Sequence, residues 1–111
     1  MKYLTVQQVR CIGLKSSCAS RLESLMDALL GLEEADAAVE DPDIAADLST
    51  GHVDVQMIVE ADDPALAMVK ALATLRAAIH AIGDATPGWE TSSAVMHVAP
   101  ADAADRLVAS A

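Results

Sequence analysis

The sequence predicts an α+β domain: four antiparallel strands in one sheet, with two helices covering one of its faces. Three observations carry that prediction. Apolar and polar residues alternate through Val53-Asp-Val-Gln-Met-Ile-Val59, just after a Ser49-Thr50-Gly51 turn, as they do in a half-buried strand. The stretch from Asp62 to Gly83 carries start and stop signals of a helix. Leu22, Leu25, Met26, Leu29 and Leu32 recur at helical spacing, one apolar stripe along a cylinder.

In chain order, the first strand is expected over Leu4–Leu14. Leu4 and Val6 point one way, Gln7-Gln8 breaks the phase, and Val9 and Cys11 resume it, which reads as a bulge; Gly13 closes the strand. The first helix begins in Ser16-Ser17-Cys18-Ala19-Ser20, where Ser20 and Glu23 have capping-box spacing and Ser16 or Ser17 would cap a longer helix. Gly31 weakens its end, and the acidic stretch to Pro42 reads as a connector. The hairpin follows, Ile44–Leu48 against Val53–Val59, with Ile44, Ala46 and Leu48 the weaker inward set and Gly51 supplying the turn. In the second helix Asp62 or Asp63 caps, Pro64 takes the first helical position and Gly83 the left-handed end. Leu66, Val69, Leu72, Leu75, Ile79 and Ile82 should form its buried stripe, with Lys70, Thr74 and Arg76 facing water. Thr91–Ala99 is the last strand and Pro100 stops it. Residues 1–100 thus form one domain, and the tail 101–111 is a candidate short helix capped by Asp102, with Leu107 and Val108 to dock. This βαββαβ order is the ferredoxin-like plan, with an expected strand order of 4-1-3-2. The plan hosts many functions, so fold alone selects none.

Composition removes some classes. Seventeen acids against seven bases give a net charge of −10, and with no Lys/Arg cluster the chain is repelled by phosphate backbones and anionic lipid. Nucleic-acid and membrane partners are therefore not expected. The longest apolar run, Ala71–Ile82, is short and interrupted by Thr74, Arg76 and His80, too little for a bilayer span. Met1-Lys-Tyr-Leu-Thr-Val has no signal-peptide character, and the two cysteines are read as reduced thiols, so the expected location is cytoplasmic. With no Phe, one Trp and one Tyr, the core must be built from Ala, Leu, Val, Ile and Met. Such a core is thin, because Ala buries little area, and an oligomer would supplement it.

Residues able to carry chemistry are scattered. Gly13-Leu14 through Cys18 faintly resembles the Gly-Met-x-Cys-x-x-Cys loop of the heavy-metal-associated copper carriers, over about a dozen residues. Ser16 stands at the family's first cysteine position and Cys18 falls one place early, so the resemblance does not supply the paired thiolates a soft metal needs. Cys11 lies in a strand, and Cys11 and Cys18 are read as small core residues. His52, His80 and His97 share no ligand spacing. No Gly-x-Ser-x-Gly elbow or Gly-rich phosphate loop occurs. The acid pairs Glu33-Glu34, Asp41/Asp43 and Asp62-Asp63 sit at loop edges, where capping and solvation account for them. No metal, cofactor or catalytic set is expected.

What remains is a small module that self-associates or binds a protein partner. The candidate surface is the helix-free sheet face: Asp54, Gln56, Ile58 and Glu60, with Val95 and His97 from the last strand. Ile58 breaks the polar pattern there. Trp89, in Thr86-Pro87-Gly88-Trp89-Glu90, either closes the end of the core or anchors a partner. A different reading is a dimeric α+β barrel, ligand-binding or enzymatic, with His97 as acid/base. A metal-handling domain is the third.

Overall fold

The computed structural model describes residues 1–11, 15–83, 89–90 and 97–101, with residues 15, 16, 89, 90 and 97 described by backbone alone. The elements are β1 (Lys2–Cys11), α1 (Lys15–Ala35), β2 (Val39–Asp47), β3 (His52–Glu60), α2 (Pro64–Ala81), β4 (Trp89–Glu90) and β5 (His97–Pro100). The sheet order is β2-β3-β1-β4, and β5 also pairs with β1. Because β3 occupies one edge of β1 from Lys2 to Arg10, β4 and β5 lie successively along the other. All of these pairings are antiparallel. The sheet is therefore four strands wide, and with its two helices the chain is an α+β domain.

Strand β3 sets the register. Its inward side chains, Val53, Val55, Met57 and Val59, are an unbroken apolar set, each at most 2% exposed. Opposite them on β1 stand Val9, Gln7, Thr5 and Tyr3, and these are buried in turn. The bulge expected at Gln7-Gln8 does not exist: β1 alternates without interruption, since a slip would turn its whole inward set to the other face. Two polar groups are buried as a result. The Thr5 hydroxyl donates to the Met57 carbonyl at 3.0 Å, whereas the Gln7 amide nitrogen has no partner among the described residues.

The irregularity lies in β2 instead. That strand starts at Val39, so the acidic stretch expected to be a connector is already sheet, and Val39 is core. A bulge falls between Glu40 and Asp43, where Asp41 has φ 51 and precedes Pro42. The turn into β3 is as expected: Gly51 has φ 78, and a β-carbon there would lie 2.8 Å from the Cys11 carbonyl oxygen. Only glycine meets both conditions at little cost.

Both helices pack on the face bearing Val53 and its neighbours, in one cluster with them. Helix α1 begins at Lys15, which leaves Ser20 inside the helix as the acceptor for Ser24 Oγ and not as a cap. It buries Cys18, Leu25 and Leu29. Helix α2 starts as its sequence indicates, Asp63 accepting from Leu66 N–H at 2.8 Å with Pro64 next, and Gly83 follows its end with φ 82. Its buried stripe differs from the expected one. Ala67, Ala71, Thr74, Leu75, Ala78 and Ile79 are buried, while Leu66 and Val69 are 49% and 64% exposed and Leu72 is half-buried. Alanines on the inner side let α2 lie close to the sheet, and Thr74 is tolerated there because its hydroxyl donates to the Lys70 carbonyl. No described helix is long and apolar enough to cross a membrane. Most of the tail, the turn expected over Asp84–Gly88 and residues 91–96 of the expected last strand lie outside the described residues.

Candidate functional site: the open sheet face

The even-numbered residues of β1 and β3 form the face turned away from the helices. In register across the two strands stand Lys2 with Glu60, Leu4 with Ile58, Val6 with Gln56, Gln8 with Asp54, and Arg10 with His52. Strand β2 adds Glu40 beside Ile58, Asp43 beside Gln56 and Ala45 beside Asp54. Strand β5 brings Ala99 beside Leu4 and His97 beside Val6. Of the expected site residues, Asp54, Gln56, Ile58 and Glu60 thus share one surface, and the backbone of His97 lies at its edge. Trp89 pairs in register with Cys11, at the opposite end of β1 from Leu4. Val95 falls outside the described residues.

The residues that give this face its character are Leu4 and Val6. They flank Ile58, and all three are half-buried, so the polar strand surface has an apolar centre. Its signal in the sequence is indirect. Once Val53–Val59 fixes which side of β3 is core, the register forces Leu4 and Val6 outward.

Charge on the face is segregated. Its bases, Lys2 and Arg10, belong to β1, and its acids belong to β3 and β2. Lys2 Nζ reaches across β3 to Glu40 Oε1 at 2.7 Å, and that hydrogen bond, then the Glu40 charge, raises the lysine pKa. Glu60 holds the amino terminus at 3.1 Å. At the other end Asp47 caps the β2–β3 turn by accepting from Ser49, which lowers its pKa, with His52 a minor contributor.

The outer edge of β2 is closed to strand pairing. The Asp41 N–H donates to Glu33 Oε2 at 2.6 Å and the Ile44 N–H to Asp43 Oδ1 at 2.9 Å, and a bulge with carboxylates on an edge is a device against edge-to-edge association. Around that bulge a shallow groove joins Leu4 and Ile58 to Pro42 and Leu30, rimmed by Glu33, Asp41 and Asp43.

The cysteines correct the sequence reading. Cys11, the last residue of β1, and Cys18, in the first turns of α1, form a disulfide across a Cα–Cα distance of 6.0 Å, within the usual range. The bond fixes the first turns of α1 to the end of β1 across a sequence separation of seven residues. Both sulfur-bearing residues are buried, and Arg21 Nη1 stands 3.4 Å from Cys11 Sγ. The pairing removes the ground on which reduced thiols had pointed to a compartment. Among the described residues no three His, Cys, Asp or Glu side chains converge as a metal site. No protein-family model, curated protein or solved structure matches the chain.

Proposed function

We propose that this chain is a self-associating assembly module of ferredoxin-like plan, and that two copies meet through the open sheet face. The carrying observation is the apolar centre Leu4–Val6–Ile58 within a polar surround, the usual anatomy of an interface. The charge pattern favours a second copy as the occupant. A two-fold axis parallel to the strands, between β1 and β3, lays β1 of one copy over β3 of the other. Leu4 then meets Ile58 twice and Lys2 meets Glu60 of the second copy, while Arg10 falls level with His52. Complete burial of an exposed Leu, Ile or Val side chain contributes roughly 1.5–3 kcal/mol; these three are already half-buried, so each adds only part of that in the contact.

Light scattering across a concentration series tests the reading with Val6→Arg, a substitution on the half-buried outer side of β1. The wild-type chain should associate through this face, and Val6→Arg should lower the mass of the assembly while leaving circular dichroism unchanged. An assembly mass that Val6→Arg does not alter contradicts it.

A further inference from the structure

Among the described residues the exposed large apolar side chains are Met1, Leu30, Leu66, Met68 and Val69, and all but Met1 lie on the helices. The two helices differ in what surrounds them. From Pro64 to Ala81 helix α2 has no Asp or Glu, in a chain with seventeen acids. Its outward stripe is Leu66, Val69, Ala73 and Arg76, each exposed. A helix apolar on both sides belongs in a place where both sides are covered. The outward stripe of α1 is of the opposite kind: Glu23, Asp27 and Glu34 around Leu30, again exposed.

The helices run antiparallel. Lys70 pairs with Asp36, and Ala73, Thr74 and Ala77 line a cleft with Leu32 and Asp36. On that alignment Arg76 stands level with Leu30, so a base on α2 is flanked by acids about one turn either way on α1. A two-fold axis parallel to the helices, above the groove between them, lays α2 of one copy on α1 of another without changing level. Arg76 then falls between Asp27 and Glu34 of the second copy, on Leu30, and Ala73 permits close approach of the helices. Two helices of this length present a projected face of roughly 500 Å², the order of the ~800 Å² of accessible surface that each partner gives to a standard interface.

We infer that the outer face of the helix layer is a second interface between copies of this chain, with α2 of each copy seated on α1 of the other. Its α2 residues take no part in the sheet-face contact, while Leu30 also borders the groove at the β2 bulge that reaches Leu4 and Ile58. A chain with two self-complementary faces on opposite sides, each with its own two-fold axis, builds past a dimer into an open array.

Light scattering on the full chain with Val69→Glu, Val6→Arg and the double variant separates the two faces. The wild type should exceed two chains, Val69→Glu should fall to two, and the double variant to one. Arg76→Glu should weaken assembly, and adding Asp27→Lys and Glu34→Lys to it should restore assembly, an outcome that a merely local effect on α2 folding would not give. The inference is overturned if Val69→Glu and Arg76→Glu leave the wild-type mass unchanged, or if the reversed charges fail to restore it. If Val6→Arg has no effect while Val69→Glu does, the sheet-face reading fails and this one stands.

Discussion

Helix α1 turns its long side chains inward and its acids outward: Leu25 and Leu29 are fully buried, and Glu23, Asp27 and Glu34 are exposed. Helix α2 does nearly the reverse, burying Ala67, Ala71 and Ala78 and leaving Leu66 and Val69 in the open. Both complete the same core. In α1 the driving force is apolar area on the inner side, and the outer side serves solubility. In α2 small residues trade area for close approach to the sheet, and the apolar area is kept on the outside. Covering that area with another copy would recover what the thin core of this Phe-free chain forgoes.

Substitutions can break the contrast. The largest effect is expected at Leu25, whose truncation to Ala removes a fully buried side chain and should cost about 2–5 kcal/mol in chemical denaturation. Val69→Ser, one helix over, should change the stability of the isolated chain by about 0.5 kcal/mol or less. A comparable loss at the two positions would mean that α2 is not oriented as described.

Ala71→Leu sharpens the other half. If α2 owes its position to small inward residues, the added bulk should destabilise by about 1–3 kcal/mol. A neutral result in urea titration would show slack between α2 and the sheet.

The smallest effect concerns the contact between the helices. The hydrogen bond from Lys70, with the Ala38 N–H second, lowers the pKa of Asp36 below its usual 3.8. A carboxylate whose folded pKa is depressed contributes stability above its unfolded pKa and loses it as pH falls through the folded one. The wild type should therefore lose more melting temperature than Asp36→Asn between neutral pH and about pH 3. Equal losses would show that the exposed pair contributes nothing, the common outcome for surface pairs.

The same contrast explains what the sequence made legible. Helix α2 was readable at its ends, because Asp63, Pro64 and Gly83 act through local backbone chemistry. Its buried stripe was not, because apolar residues surround the helix and periodicity cannot choose among them. Strand β3 was readable through its clean alternation. In strand β1 the change of phase at Gln7-Gln8 reads as a bulge, and pairing with β3 shows instead an unbroken strand with Val9 and Cys11 inward and Leu4 and Val6 outward. The bulge in β2 was hidden by Asp41-Pro42-Asp43, whose residues are typical of loops. On the candidate face, Asp54, Gln56, Ile58 and Glu60 followed from β3 alone, while Leu4 and Val6 needed the register. The Cys11–Cys18 pair needed the placement of the start of α1 beside the end of β1, which spacing does not determine.

The central claim is that this chain completes itself with further copies of itself. The most direct test is the solution mass of the wild-type chain by light scattering, from micromolar to millimolar concentration. The single chain weighs 11.5 kDa, and the account predicts a mass above twice that value that falls on dilution. A mass of one chain at every concentration would contradict it.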